Sequence, residues 1–320
     1  FQYKRFRMLF TAGPLFYAAF NTRLFLYLLF RPRPDLLISN DLDTLPANFM
    51  ISRIRKVPLI YDSHEYFTEV PELISRPFTQ KIWKRIERCL VPKIQDAVTV
   101  SPSIAGLYME EYKKEFRVVR NLPKRREPVS DPSLRKRYEG KNIIIYQGAI
   151  NIGRGLELLI RTMQYLRDAV FLVAGDGDIV SKLEAMINEL NVGDRVFLLG
   201  RLHPDELFPV TCNADIGVSL EEDMGLNYRY ALPNKLFDYI QAGIPVLCSD
   251  LPEMKSVVEQ YGIGISASVR EPERLAGIIQ NMLSDKKAGL WEDPLKEASR
   301  QLCWEKESKI YAGIIAKFGI

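Results

Sequence analysis

Short apolar runs recur along the whole chain, and stretches with helical patterning separate them. Strands that alternate with helices are typical of parallel sheets whose two faces are covered by helices. The sequence therefore predicts an α/β protein with two doubly wound halves. The strands are predicted at 35–39, 58–61, 97–100 and 117–120 in the first half, and at 143–146, 170–174, 196–199, 216–220 and 246–248 in the second half.

A polar, proline-bearing and highly charged segment separates the two halves. This segment, residues 124–141, is predicted as a linker. It divides an N-terminal domain over 1–123 from a C-terminal domain over 142–303, and a last helix is predicted over 304–320. The length of 320 residues is sufficient for two such domains. In sheets of this kind, ligands bind beyond the carboxyl ends of the strands.

One helix in the second half has clear signals at both ends. Pro233 and Asn234 indicate its start, and Gly243 indicates its end. Free N–H groups at the start of a helix favour anions such as phosphate, and Lys235 adds a full charge there. Asp238 lies one turn along the same face, where its carboxylate could accept hydrogen bonds from ribose hydroxyls. A nucleoside diphosphate site and an ordinary capped turn are both compatible with this pattern.

The same segment resembles the sugar-nucleotide site of retaining glycosyltransferases of family 4. The resemblance extends over four blocks in the right order, which is more specific than any single block. The other three blocks are 146–148 with 153–155, then 173–177, and then 199–201 with 204–207.

The resemblance implies the GT-B fold, in which two Rossmann-like domains face each other across a cleft and the last helix crosses back to the N-terminal domain. It also implies a nucleoside diphosphate sugar as donor and retention of anomeric configuration. The donor-binding residues that it implies are Gly148, Arg154, Gly175, Asp176, Arg201, Asn234, Lys235 and Asp238.

The sequence departs from the family at the acidic positions. The family has two glutamates there, and these align with Tyr230 and Asp238. Asp238 can keep the ribose role with a shorter arm, whereas Tyr230 cannot act as a carboxylate. Asn227, Tyr228 or a backbone group of 225–232 is expected to replace the missing sugar contact, and Asn227 is taken as a donor-binding residue.

The basic residues of the first donor loop also differ from the family pattern. Ala149 stands where the family often has Arg, and Arg154 stands where it often has Lys. Arg154 and Lys235 are then expected to be the two diphosphate cations and to act in catalysis. Compared with the family, the first strand and its glycine-rich loop are expected to be missing from the start of this sequence.

Two polar clusters follow strands of the N-terminal half and are predicted to lie on the acceptor side. Asp41 and Asp43 follow the first strand, and His64 and Glu65 follow the second. The pattern Asp-x-His-Glu at 62–65 resembles a family block in which the His lies near the transferred sugar. His64 is therefore predicted to be catalytic, although a His after a strand is often only a loop or core residue.

Composition excludes several classes of site. The four cysteines are scattered without a Cys-x-x-Cys pair, so a disulfide set or a zinc site is not expected. The chain has two histidines, and no cluster has metal-ligand spacing, so the sequence predicts neither a metal nor a cofactor. A net charge of +4 gives no argument for nucleic acid as a partner.

The first residues are basic and rich in aromatic side chains. Residues 3–33 combine apolar runs at 15–20 and 24–30 with Lys and Arg. The second run is too short to span a bilayer, and Arg23 interrupts the longer stretch that contains both runs. The stretch is compatible with a helix in the membrane interface or with a core helix that has a basic end. We expect a cytoplasmic protein, with peripheral contact at the inner face of a membrane under the first interpretation.

The predicted function is transfer of a sugar from a nucleoside diphosphate sugar to a glycan or a lipid-linked glycan. A sugar-nucleotide epimerase of GT-B-like fold and a non-catalytic sugar-nucleotide-binding protein are the alternatives. A dinucleotide-dependent oxidoreductase is disfavoured because 175–180 lacks the third glycine of the required motif.

Overall fold

The computed structural model describes residues 3–319 and divides the chain into two compact units. The N-terminal unit contains the residues up to Arg120, the segment Gly225–Tyr230 and the residues from Ser308 onward. The C-terminal unit contains Asn121–Met224 and Ala231–Glu307.

All strands of the described chain pair in parallel, four in the N-terminal unit and six in the C-terminal unit. The strands are β1 (Leu37–Asn40), β2 (Leu59–Ser63), β3 (Asp96–Thr99), β4 (Arg117–Val118), β5 (Asn142–Gln147), β6 (Ala169–Ala174), β7 (Val196–Gly200), β8 (Ile216–Ser219), β9 (Val246–Ser249) and β10 (Gly264–Ala267).

Helices connect the strands, and within residues 3–319 three short 3-10 helices lie at 67–69, 91–93 and 163–165. The α-helices are α1 (Gly13–Leu29), α2 (Asp41–Arg55), α3 (Pro71–Ile74), α4 (Pro77–Leu90), α5 (Pro102–Tyr112), α6 (Pro132–Arg137), α7 (Leu156–Thr162), α8 (Val180–Glu189), α9 (Pro204–Cys212), α10 (Leu226–Arg229), α11 (Asn234–Ala242), α12 (Pro252–Tyr261), α13 (Pro272–Lys287), α14 (Glu292–Gln301) and α15 (Trp304–Ala316).

The N-terminal sheet has the order β1-β2-β3-β4. Its main core contains Leu42 and Leu45 from α2, Tyr61 from β2 and Tyr108 from α5, all fully buried. The opposite face of the sheet packs against Ile314 of α15. Successive side chains of a strand point to opposite faces, so Ile60 and Tyr61 enter different clusters.

The C-terminal sheet has the order β10-β9-β8-β5-β6-β7, with β5 and β8 at its centre. Ile144 and Tyr146 of β5 pack in a cluster with α7, α8 and α13. Ile143 and Ile145 pack in the opposite cluster with α11, α12 and α14. Both faces of the sheet are thus covered, as expected for a doubly wound parallel sheet.

Residues 124–141, predicted as a linker, belong to the C-terminal unit and contain α6. Arg135 on α6 forms two hydrogen bonds with Asp215, at 3.0 and 3.1 Å. Tyr138 is buried in the same cluster as α11. The segment is polar because most of its surface faces solvent. The bidentate ion pair between Arg135 and Asp215 nevertheless fixes its helix to the unit.

Helix α1 is neither a fully buried core helix nor a fully exposed one. In the described chain none of its residues is fully buried, yet Tyr17, Phe25 and Leu28 pack against the N-terminal core. Leu15 and Leu26 on the same helix are exposed. Among residues 3–319 no helix has both the length and the apolar character needed to cross a bilayer.

Candidate functional site

Lys235 lies in the first turn of α11 and is almost completely buried. Its ammonium group donates to Glu221 Oε1 at 2.8 Å and lies 4.0 Å from the centre of the Tyr146 ring. A Cβ atom added to Gly148 would lie 3.4 Å from Lys235 Cε, so Gly148 directly borders this side chain. Lys235, predicted as a diphosphate cation at the start of this helix, thus lies beside Tyr146 of β5 and Gly148, the residue that follows β5.

Glu221 is the partner that sequence reasoning missed. It follows β8, is 2% exposed, and accepts a hydrogen bond from the Ser219 hydroxyl at 2.7 Å. Arg154 Nη1 lies 3.8 Å from Glu221 Oε1, the oxygen that Lys235 also contacts. Burial alone would raise the pKa of Glu221, but the Lys235 ammonium group and the Ser219 hydroxyl hold it below its usual value. The two predicted diphosphate cations thus meet at one ionised carboxylate.

The three glycine-bearing loops that follow β5, β6 and β7 are joined by backbone hydrogen bonds. Gly148 N–H donates to Ala174 O at 3.0 Å, and Gly175 N–H donates to Gly200 O at 2.9 Å. Gly175 has a φ of 155°, and a Cβ atom there would overlap the backbone oxygen of Gly148. The structure therefore brings together loops that the sequence predicted separately.

Asp238 lies farther along α11 and borders a different space from Lys235. Its carboxylate accepts a hydrogen bond from Gln147 Nε2 at 2.8 Å, and Gln147 Oε1 accepts one from Thr211 at 2.7 Å. Asp238 lines a cavity of about 320 Å³ together with Pro204 and Leu207, which lie in one of the four blocks that resemble the family. Burial raises the pKa of Asp238 to about 6, although the Gln147 hydrogen bond opposes the shift.

The remaining predicted donor residues of the C-terminal unit lie on its surface. Asp176, Arg201 and Asn234 are exposed. Asp176 follows β6 and accepts a hydrogen bond from Gly177 N–H at 2.8 Å, Arg201 follows β7, and Asn234 is the first residue of α11. Each follows a strand or begins a helix at the positions that the resemblance implies.

Asn227 belongs to the N-terminal unit rather than to the residues around Lys235. Its side-chain oxygen accepts a hydrogen bond from Tyr66 N–H at 2.9 Å. Tyr230 lies in the same short segment, packs against the N-terminal core, and its carbonyl accepts a hydrogen bond from Ser101 at 3.0 Å. The sequence placed this segment in the C-terminal domain because its neighbours on both sides belong there.

The acidic residues and His64 of the N-terminal unit form one cluster at the carboxyl ends of β1 and β2. Asp41 has a φ of 56°, and its Oδ1 accepts a hydrogen bond from His64 N–H at 2.9 Å. His64 Nε2 lies 3.5 Å from Asp62 Oδ1. Burial raises the pKa of Asp41, and burial together with Asp41 raises the pKa of Asp43 to about 6.

Glu65 joins this cluster from the loop after β2. Burial and the nearby acidic groups raise its pKa, although a hydrogen bond with Asn227 opposes the shift. Within the described part of the chain, no group of three or more His, Cys, Asp or Glu side chains is arranged to hold a metal ion. The cluster can donate and accept hydrogen bonds, as recognition of hydroxyl groups requires.

Comparison with known sequences places the chain among glycosyltransferases. The profile of the family described as glycosyl transferases group 1 matches residues 132–300, more than half of the chain. Alpha-D-kanosaminyltransferase of Streptomyces kanamyceticus is 25% identical over 262 residues, which cover 74% of this chain and 64% of that protein. The chain spans between 37% and 64% of the length of the curated relatives it matches.

Solved structures share the fold at low sequence identity. Sucrose-phosphate synthase from Thermosynechococcus elongatus superimposes with a TM-score of 0.75 at 18% identity, covering 96% of this chain and 82% of that one. Anabaena HepE in complex with UDP-glucose gives a TM-score of 0.74 at 17% identity, with coverage of 95% and 82%. The predicted fold class, α/β of the GT-B type, is confirmed. The chain belongs to the glycosyl transferases group 1 family.

Proposed function

We propose that this protein is a glycosyltransferase of hexosyltransferase type, which moves a sugar from a nucleoside diphosphate sugar to a glycan or a lipid-linked glycan. The observation that carries the proposal is the meeting of Lys235 and Arg154 at the carboxyl ends of β5 and β8. Retention of anomeric configuration is proposed from the resemblance of the donor loops to the retaining enzymes of family 4.

The proposed chemistry depends on stabilising the leaving group. As the bond from the anomeric carbon to the diphosphate breaks, negative charge grows on the diphosphate oxygens. Lys235, Arg154 and the N-terminal N–H groups of α11 would stabilise that charge without a metal ion. Family membership and the complex of the HepE neighbour with UDP-glucose support a nucleoside diphosphate sugar as the donor.

The test is a turnover assay that separates this proposal from its alternatives. The protein is first screened with UDP-, GDP- and ADP-sugars by thermal shift, and the stabilising donor is then incubated with candidate glycan acceptors. A transferase consumes the donor only when an acceptor is present, whereas an epimerase converts it without one. Binding without consumption under every condition would contradict an enzymatic role.

The same turnover assay in excess chelator is expected to keep its full rate. A loss of rate that Mg²⁺ or Mn²⁺ restores would contradict the metal-free mechanism.

Asp238 is proposed to accept hydrogen bonds from the ribose of the donor. Asp238→Asn should cost about 1.5–3 kcal/mol of donor binding, the range for hydrogen bonds to charged groups. Because the pKa of Asp238 is raised to about 6, wild-type affinity should fall as the pH drops below that value and the carboxylate is protonated. Calorimetric titration at pH 5 and pH 8 measures both effects.

Deoxy donors provide the control for the Asp238 prediction. A 2′-deoxy or 3′-deoxy donor lacks one hydroxyl, so it should lose less affinity than the native donor when Asp238 is replaced. The pH dependence should also be weaker in the Asp238→Asn protein. Equal losses for native and deoxy donors would show that the residue has another role, such as holding Gln147.

His64 is proposed to act on the acceptor side in the N-terminal unit. His64→Ala should lower kcat by about tenfold, the value of one hydrogen bond in the transition state, and leave donor binding unchanged. Steady-state kinetics and donor titration measure the two quantities. His203→Ala is the matched control, because His203 caps α9 in the other unit and its side chain is 69% exposed. Equal kinetic effects at both histidines would contradict the assignment.

A membrane contact is proposed for the surface where α1 and α2 end. Arg55 Nη1 donates to Arg31 O at 2.6 Å, and Arg33 Nη2 donates to Lys56 O at 2.6 Å, so these basic side chains are gathered beside Phe30. Phe30 is 81% exposed. An aromatic side chain among cations matches the interface of an anionic membrane.

Vesicle sedimentation tests the membrane contact. The protein should sediment with vesicles that contain anionic lipid at low salt and should be released as the salt concentration rises. Each Lys or Arg near such a surface contributes about 1 kcal/mol, so replacing Arg31 and Arg33 by glutamine should cost about 2 kcal/mol of binding. Neutral vesicles are the control, and a protein that stays in the supernatant with both vesicle types would contradict the contact.

A further inference from the structure

Glu221 is a buried carboxylate at the centre of a site proposed to bind an anion. Its position at the carboxyl end of β8 is fixed from both its side chain and its backbone. Ser219 donates to Glu221 Oε2 at 2.7 Å, and Glu221 O accepts hydrogen bonds from Ser249 at 2.6 Å and from Arg270 at 2.9 Å. A carboxylate held so firmly within a cationic site requires an explanation, because it repels the diphosphate that the site is proposed to bind.

The other carboxylate oxygen explains how Lys235 is held. Lys235 is only 8% exposed, and burying an ammonium group without a partner is costly. Glu221 Oε1 accepts from Lys235 at 2.8 Å and lies 3.8 Å from Arg154 Nη1. The three groups together carry a net charge of +1 rather than +2. Glu221 therefore fixes the ammonium group in place and halves the net positive charge of these side chains.

We propose that Glu221 is a positioning residue that limits how tightly the site holds a diphosphate. It places Lys235 between the Tyr146 ring and Gly148, and it competes with the diphosphate for the ammonium group. The inference rests on the proposed function, which assigns the donor diphosphate to Lys235 and Arg154. An enzyme must also release its diphosphate product, and a competing carboxylate within the site accelerates that release.

Calorimetric titration of the full chain with inorganic pyrophosphate tests the inference without any assumption about the base or the sugar. Glu221→Gln keeps the size and one acceptor oxygen of the side chain but removes its charge. Its affinity for pyrophosphate should rise by about tenfold at low salt, because one nearby negative charge is lost. A purely structural role predicts unchanged or weaker affinity, and either result would overturn the inference.

Glu222→Gln is the matched control. Glu222 is the next residue and is exposed, so the same chemical change should leave pyrophosphate affinity unchanged. In turnover, Glu221→Gln should lower both KM for the donor and kcat, as release of the diphosphate slows. An increase in KM would count against the inference, since it would mean that the carboxylate assists donor binding.

A second comparison covers the case in which Glu221→Gln fails to fold because Lys235 is left without its carboxylate. Lys235→Gln alone is compared with the double variant Glu221→Gln/Lys235→Gln, in which neither buried charge remains. The double variant should bind pyrophosphate about threefold more tightly, because Arg154 no longer shares its charge with Glu221. Equal affinities would overturn the inference.

The outcomes also distinguish this inference from the proposed function. If the wild-type protein binds neither pyrophosphate nor any nucleotide sugar, both are wrong. If it binds pyrophosphate and neither comparison shows tighter binding, only the role of Glu221 is wrong.

Discussion

Replacing Lys235 by alanine is expected to lower kcat/KM about a hundredfold to a thousandfold, the effect of removing one preorganised charged donor from a transition state. The ammonium group is buried, so its attraction for the diphosphate is weakly screened by solvent. Affinity for a nucleoside diphosphate should fall far more than affinity for the bare nucleoside, which carries no phosphate. Titration with both ligands measures this ratio.

The Lys235 prediction needs a stability control, because the substitution leaves Glu221 buried without its closest cation. Breaking such a pair costs about 3 kcal/mol of folding free energy, so the binding ratio rather than activity alone is the decisive quantity. Lys255→Ala on α12 removes an exposed lysine of the same unit and should change neither ligand's affinity. Equal losses for the nucleoside and the diphosphate would refute the assignment of Lys235.

The helix that carries Lys235 could be predicted from local chemistry alone. Pro233 cannot donate a backbone hydrogen bond and favours a helix start, and Gly243 adopts a φ of 71° at the helix end. The predicted strands of the C-terminal half likewise match β5–β9 to within one residue. These elements are predictable because burial on both faces of the sheet demands continuous apolar runs.

Strand β10 was missed because it has no such run. Its sequence over 264–267 contains two small residues and a serine, and most of it is only half-buried. A Cβ atom at Gly264 would overlap the backbone oxygen of Val246, so pairing with β9 requires glycine at that position. Close approach of two backbones, rather than hydrophobicity, selects the residue here, and a pattern of apolar residues cannot reveal it.

The loops named from the sequence lie side by side in the structure, whereas the carboxylate that pairs with their charged side chains was not predicted. Gly148, Gly175 and Lys235 lie at strand or helix ends, which local patterns reveal. The pairing of Lys235 and Arg154 with Glu221 depends on which strands are neighbours in the sheet, and β5 lies beside β8 only in the folded order. Asn227 was assigned to the wrong unit for the same reason, since chain proximity does not decide where a short segment packs.

The loops of the proposed donor site are packed against each other at a glycine. Gly175 follows β6, with a φ of 155° that side chains rarely adopt. A Cβ atom there would overlap the backbone oxygen of Gly148 and lie 3.0 Å from its carbonyl carbon. Backbone atoms cannot move aside by changing a rotamer, so the loops after β5 and β6 would have to separate.

Gly175→Ala is therefore expected to destabilise the C-terminal unit by about 3 kcal/mol, the upper end of the usual cost of overpacking. Gly148 also borders Lys235, so displacement of its loop should weaken diphosphate binding in the protein that remains folded. Thermal or urea unfolding measures the loss of stability, and titration with pyrophosphate measures the loss of affinity.

Gly193→Ala is the control, because a Cβ atom there would lie 3.7 Å from the Ile187 side chain, an ordinary van der Waals contact. A Gly175→Ala protein as stable as Gly193→Ala would mean that the two loops do not touch in solution, and the close approach that places Gly148 beside Lys235 would have to be abandoned.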